Sequence, residues 1–175
     1  AVPTYRQTSD YSGRALGAYF QDVVSLTPHW KFLGGLRYDN FKADMHQLAY
    51  AANGALSTVT PSSLSYSSLW SSRVGVLFQP SATQSYHISH STSFNTSADT
   101  YQYTTQQIAN VPAEKSRNIE IGAKLDWLEG NLSTRAALFR TEKYNERTTD
   151  SDFAGSYPVL SGKRHSQGAE FDVVG

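Results

Sequence analysis

The chain has 175 residues, no Cys, and 15 basic against 15 acidic side chains. The missing thiols exclude disulfide frameworks, Cys-based zinc sites and Cys nucleophiles, and zero net charge offers no basic face to a nucleic acid. Charged residues are only 17% and aromatics reach 13%, a mixture that suits β structure with wet, uncharged loops. Mean hydropathy is −0.46 and no apolar run is long enough for a transmembrane helix. Such a scan is blind to strands that alternate between two environments. Ala1-Val2-Pro3-Thr4-Tyr5-Arg6 lacks the basic start and apolar core of a secretory signal, so a mature chain or a fragment is expected.

Taken in chain order, period-2 alternation marks seven strands. In residues 14–26, Leu16, Ala18, Phe20, Val24 and Leu26 alternate with Gly17, Tyr19, Gln21, Val23 and Ser25. Thr27-Pro28-His29 then signals a turn. Residues 30–41 set Trp30, Phe32, Gly34, Leu36 and Tyr38 against Lys31, Leu33, Gly35, Arg37 and Asp39. Lys42–Trp70 is Ser/Ala-rich and weakly periodic, and reads as a first long loop. Residues 71–79 carry Val74, Val76 and Phe78 on one face, and Pro80–Thr83 turns the chain. Residues 85–93 alternate Tyr86 and Ile88 with Ser85, His87, Ser89 and Ser91 before a second long loop, Thr92–Lys115.

The cleanest alternation lies in 117–128, where Ile119, Ile121, Ala123, Leu125 and Trp127 oppose Asn118, Glu120, Gly122, Lys124 and Asp126. Glu129-Gly130 predicts a two-residue hairpin loop. Residues 131–145 return with Leu132, Thr134, Ala136 and Leu138 on one face, and Thr148–Ser161 is a third long loop. Residues 163–174 close the series with Ala169, Phe171 and Val173 against Gly168, Glu170 and Asp172.

Short and long connections thus alternate, and strands of roughly 9–12 residues fit a tilted bilayer crossing. Ordinary strands average about five or six residues. Trp30, Trp127 and Tyr86 sit near short turns, and Tyr38 near a long loop, all on apolar faces, like two aromatic girdles. The fold class this predicts is all-β: an antiparallel transmembrane β-barrel segment of about seven strands. The short turns are expected on the periplasmic side and the long loops outside. A soluble β-sandwich carbohydrate-binding module is the alternative, since sandwich strands also alternate.

Nine short segments in order resemble the barrel portion of TonB-dependent siderophore receptors. They begin with Gly17-Ala18-Tyr19-Phe20-Gln21-Asp22, Leu33-Gly34-Gly35-Leu36-Arg37-Tyr38-Asp39 and Arg73-Val74-Gly75-Val76-Leu77-Phe78-Gln79-Pro80. Ser93-Phe94-Asn95, Pro112-Ala113-Glu114-Lys115-Ser116 and Glu120-Ile121-Gly122-Ala123-Lys124 follow. Ala137-Leu138-Phe139-Arg140, Lys143-Tyr144-Asn145 and Gly168-Ala169-Glu170-Phe171-Asp172 complete the series. The resemblance implies a barrel of roughly twenty-two strands closed by an amino-terminal plug, in the outer membrane of a Gram-negative bacterium. It also implies TonB-driven import of a ferric siderophore, with outer-membrane lipid, the plug and the TonB complex as partners. Neither the plug nor the TonB-contacting box has a counterpart in the sequence, and a middle piece of the barrel is expected. No cofactor is implied, because the iron arrives inside the siderophore.

The ligand-contact candidates are the loop aromatics and an Arg, which stack on and pair with an iron–siderophore complex. These are Tyr66 and Trp70 in or ending the first loop, Tyr101 and Tyr103 in the second, and Tyr144, Arg147 and Tyr157 in or bordering the third. Arg37, Asp39, Glu120, Lys124 and Asp126 fall on lumen faces by phase, where a hydrated salt-bridge network is the generic filling. His87, Ser89, His90 and Ser91 share one strand, but no orienting group or oxyanion donor accompanies them, so no catalytic site is assigned. His29, His46, His87, His90 and His165 show no ligand spacing, and no protein-bound metal is expected.

Overall fold

The computed structural model describes residues 6–96, 112–149, 158–160 and 163–175. Among these described residues are nine strands: β1 Gln7–Ser25, β2 Trp30–Tyr50, β3 Leu56–Ser81, β4 Gln84–Asn95, β5 Glu114–Trp127, β6 Leu132–Tyr144, β7 Arg147–Thr149, β8 Pro158–Leu160 and β9 Arg164–Val174. Seven of them form one sheet in the order β1-β2-β3-β4-β5-β6-β9, and β7 pairs with β8 separately. The pairings β3/β4, β4/β5, β5/β6 and β6/β9 are antiparallel. Chain neighbours are therefore sheet neighbours, which is what alternating hairpin connections produce.

The turns show how the sequence ends each strand. Between β1 and β2, Thr27 Oγ1 accepts hydrogen bonds from the backbone N–H of His29 (3.2 Å) and of Trp30 (3.1 Å). Pro80 lies inside β3, and the register against β4 shifts between Phe78 and Ser81. The β5–β6 connection is four residues, Leu128–Asn131, rather than the predicted two-residue Glu129-Gly130 loop. Trp127 pairs with Leu132, and Leu128, Glu129 and Gly130 all take positive φ, at 53°, 59° and 91°. Gly130 is the residue that adopts this geometry without strain.

A larger correction concerns Lys42–Trp70, which is not a long loop. β2 continues to Tyr50 and β3 begins at Leu56, leaving five residues between them. There the N–H of Ala51 donates to the carbonyl of Ala55 at 2.9 Å, and Asn53 Oδ1 accepts from the N–H of Ala55 at 3.0 Å. In the third expected loop, Thr148 pairs with Val159 in the β7–β8 ladder.

The chain divides into two compact units. The first comprises Ala1–Gly17, Asp39–Leu69 and Thr96–Ala113, and the second Ala18–Tyr38, Trp70–Asn95 and Glu114–Gly175. The first holds Ala43, Met45, Leu64, Tyr66, Leu69 and Ala113, the buried apolar residues among those described, together with buried Asp39. Leu64, Tyr66 and Leu69 share this burial although the last step is three residues. Between them Ser68 has φ 64°, so one extra residue is inserted and the alternation slips.

In the second unit only Gly122 is buried among the described residues. Its apolar side chains form cross-strand rows that lie open. Val76, Ile88, Ile121, Leu138 and Ala169 make one row, and Phe78, Tyr86, Ala123, Ala136 and Phe171 the next. Ile88, Ile121, Leu138 and Phe171 are between 51% and 73% exposed. Moving one such side chain from water to an apolar surrounding is worth about 1.5–3 kcal/mol. A face of this size left in water would cost as much as the whole net stability of a typical domain, about 5–15 kcal/mol. The face is therefore built for an apolar medium.

Aromatics mark both margins of this face. Trp30 meets Phe78 at 4.4 Å between ring centroids, and Phe78 meets Tyr86 at 6.4 Å. Trp127 Nε1 donates to Thr134 Oγ1 at 3.0 Å. At the other margin, Tyr38 and Trp70 pack edge-to-face at 5.0 Å. Trp30 and Tyr38 are eight residues apart on β2, roughly 26 Å along a strand rising about 3.3 Å per residue. Tilted, that matches an apolar band about 25 Å tall.

Candidate functional site

The opposite face of the same strands is polar and internally hydrogen-bonded. Glu120 Oε1 lies 2.9 Å from His87 Nε2, and Lys124 Nζ donates to Asp126 Oδ2 at 3.1 Å. Thr141 Oγ1 donates to Asn118 Oδ1 at 2.7 Å, and Ser93 Oγ lies 2.6 Å from Ser116 Oγ. Arg164 and Lys143 both reach Glu146 Oε1, Lys143 at 3.8 Å. The His87 ring occupies the space above Gly122. A Cβ there would stand 2.4 Å from His87 Cε1 and 3.1 Å from the Ala136 carbonyl oxygen. Absence of a side chain at 122 is thus what lets His87 lie across the strand and reach Glu120.

A second cluster follows the apolar rows on their own face. Ile119 pairs with Arg140, Arg117 with Glu142 and Lys115 with Tyr144, so these side chains share the face of Ile121 and Leu138. Glu142 Oε2 accepts from Arg117 Nε and Nη2 at 2.9 and 2.6 Å and from the Tyr144 hydroxyl at 2.5 Å. Its other oxygen accepts from Arg140 Nε at 3.1 Å. The Arg117 guanidinium lies 5.4 Å from the Tyr144 ring centroid and the Lys163 ammonium 5.3 Å from it, both within cation–π range.

The sequence-predicted residues fall in different parts of the fold. Glu120, Lys124 and Asp126 lie on the polar face of β5 and are tied into the contacts above. Arg37 is exposed on β2 and Asp39 is buried in the first unit. Tyr66 and Trp70 are not loop residues but lie within β3. Tyr66 is buried with Leu64 and Leu69, while Trp70 is 54% exposed and packed on Tyr38. Tyr144 ends β6 in the Arg117 cluster, and Arg147 begins β7. Tyr101, Tyr103 and Tyr157 lie outside the described residues.

Sequence reasoning missed Arg117, Arg140 and Glu142, because their association depends on strand register. The available signal was phase: Arg117 follows the odd-numbered apolar series of β5. His87 is hydrogen-bonded to Glu120, and no hydrogen bond joins it to Ser89 among the described residues. Among the described residues no group of three or more His, Asp or Glu side chains is placed to hold a metal ion.

Comparison with known proteins agrees with this two-faced sheet. The family model described as "TonB dependent receptor-like, beta-barrel" matches residues 1–175. A probable TonB-dependent siderophore receptor, PiuA of Acinetobacter baumannii, is 30% identical over 152 residues, covering 81% of this chain and 19% of that protein. The metal-pseudopaline receptor CntO of Pseudomonas aeruginosa is 28% identical over 184 residues, 99% of this chain and 25% of that one. The chain thus spans a quarter or less of the length of these relatives. Among solved structures, the ferric-catecholate import receptor Fiu of E. coli superposes with a TM-score of 0.73 at 20% identity, covering 94% of this chain and 26% of that one. The ferripyoverdine receptor of P. aeruginosa gives 0.70 at 20% identity, with 94% and 21% coverage. These likenesses share the fold, a segment of an antiparallel receptor barrel. The chain belongs to the TonB-dependent receptor β-barrel family, a family of receptors rather than enzymes.

Proposed function

We propose that this chain forms part of the wall of an outer-membrane receptor that imports a ferric siderophore with energy delivered through TonB. The observation that carries the reading is the division of labour between the two faces. One face presents open apolar rows bounded by aromatics; the other is a hydrogen-bonded polar lining. Lipid against the first and a hydrated lumen against the second satisfy both. The name of PiuA, a probable TonB-dependent siderophore receptor, supports a siderophore as the cargo class.

In this reading Glu120, Lys124, Asp126 and Arg37 line the lumen or face a plug. Tyr101, Tyr103, Arg147 and Tyr157 are the side chains assigned to cargo, by aromatic stacking and charge. Tyr66, Trp70 and Tyr144 are assigned to packing within the wall. The iron is cargo, held by the siderophore. The test is growth of an iron-starved Gram-negative strain lacking the intact receptor, with single ferric siderophores as the iron source. Loss of growth on one siderophore, restored by the intact gene, is expected; unchanged growth on every one overturns the proposal.

A further inference from the structure

We infer that Asn53 is a site of spontaneous covalent modification. Its side-chain amide is lost as ammonia through a cyclic imide closed by the backbone nitrogen of Gly54, and the β2–β3 turn assists the closure. The inference is independent of the transport reading.

Sequence singles out the position. Asn53 alone among the Asn residues of the chain is followed by Gly. The imide ring joins an Asn side chain to the next backbone nitrogen, so the residue supplying that nitrogen must keep its own side chain clear. Glycine has no Cβ to clear. Space agrees with this. Residues 51–55 are exposed, Gly54 has φ 81°, and a Cβ placed on it would meet nothing within 4 Å. The ring therefore closes in open solvent.

The turn adds a chemical element. Asn53 Oδ1 accepts the N–H of Ala55 at 3.0 Å, the side-chain turn that Asn makes with the backbone two residues on. When the Gly54 nitrogen adds to Cγ, negative charge develops on Oδ1, the atom this N–H already faces. A donor set in advance where charge develops stabilises the tetrahedral intermediate, as in an oxyanion hole. One contact opposes the attack: the Gly54 N–H donates to the Ala51 carbonyl at 2.9 Å. It lies in the exposed turn, where local opening replaces it with water.

The steps balance with water alone. Hydroxide takes the Gly54 N–H proton, the N–Cγ bond forms, and the Cγ–Nδ2 bond breaks as the amide nitrogen takes up a proton and leaves as ammonia. Water then opens the imide at either carbonyl. One opening leaves aspartate at position 53; the other leaves isoaspartate, with the chain running through the former side chain. Nothing is oxidised or reduced. Either product puts a carboxylate on a neutral turn. Isoaspartate also adds a methylene to the backbone inside the loop that the Ala51 N–H closes on the Ala55 carbonyl at 2.9 Å.

The test ages the intact receptor, folded in detergent, at mildly alkaline pH in water enriched in heavy oxygen. Peptide mass spectrometry then reads aspartate and isoaspartate at position 53. Asn131 is the internal control, an exposed turn Asn that is followed by Leu132 and whose Nδ2 donates to the Leu128 carbonyl at 2.9 Å. Because Gly54 brings no Cβ to the closing ring, conversion at Asn53 is expected to exceed that at Asn131 by about tenfold or more. Heavy oxygen and isoaspartate should both appear at position 53. Conversion no greater than at Asn131, or Asn53 left intact in the folded receptor while the urea-unfolded chain is converted, overturns the inference. Ala55→Pro removes the N–H facing Oδ1 and is expected to slow conversion severalfold; an unchanged rate overturns the assistance by the turn. Gly54→Ala is expected to slow it further, with circular dichroism checking that the variant folds. The comparison of Asn53 with Asn131 needs no variant, and no outcome bears on siderophore transport.

Discussion

The two units solve the same problem, an amphipathic strand, in opposite ways. In the first, apolar side chains such as Met45, Leu64 and Leu69 are covered by protein. In the second, equally apolar side chains such as Ile88, Ile121 and Phe171 are left open, while the polar side chains opposite them hydrogen-bond to one another. The first follows the rule for water-soluble domains, in which the protein supplies its own apolar medium. The second delegates that medium to the bilayer. The lesson is that exposure alone does not mark a surface as hydrophilic: the medium it faces is legible from which side of the strand carries the hydrogen bonds.

The sharpest way to break this contrast is a charge in the middle of the open face. Ile121→Arg should destabilise the folded receptor in lipid by about 2–4 kcal/mol, the cost of Arg at a bilayer midplane. Urea unfolding in liposomes reads it, and an unchanged midpoint would mean that Ile121 faces water. Next in size, Leu64→Ala should cost about 2–3 kcal/mol by leaving a cavity in the first unit. Hydrogen exchange should show loss of protection in residues 56–69, with residues 114–127 unaffected. Ile121→Ala should cost less than Leu64→Ala, because lipid tails fill what is removed; the reverse order would contradict the assignment of media.

A smaller effect is expected at Gly122. Adding a Cβ collides with His87 and with the Ala136 carbonyl, so Gly122→Ala should cost roughly 1–3 kcal/mol by overpacking. Shrinking the ring in G122A/H87A should recover part of the loss if the imidazole is the main obstacle. Least of all, Glu120→Gln keeps a hydrogen-bonding group opposite His87 on a partly exposed pair. Its expected effect is within about 1 kcal/mol, and a large loss would mean the pair is buried against another element.

Legibility in the sequence followed the same contrast. Residues 117–128 announced themselves because a lipid-facing strand tolerates no error of phase, and Ile119 through Trp127 make none. The polar positions Glu120, Lys124 and Asp126 followed from the same alternation. Residues 56–69 were hidden for three physical reasons: the many Ser and Thr carry little hydropathy contrast, Pro61 argues against an interior strand, and Ser68 breaks the period. The β5–β6 loop was misread because a Glu-Gly pair fits a two-residue turn, whereas three successive positive φ angles spread the reversal over four residues. The Arg117–Glu142 pair joins residues 25 apart in sequence. Only strand register brings them together, and alternation within one strand carries no register.

Ser68 has a consequence for how such a chain varies. A strand whose side chains point alternately to two media is a text with a reading frame, and Ser68 is a frameshift within it. Residues before it and residues after it are decoded separately, each in the frame its own surroundings demand. Gain or loss of one residue on the amino-terminal side can be absorbed at this point without re-phasing Val74, Val76 and Phe78. The stretch of β3 that answers to the bilayer is thereby insulated from length changes in the stretch before it, and the two can diverge at different rates within one continuous strand.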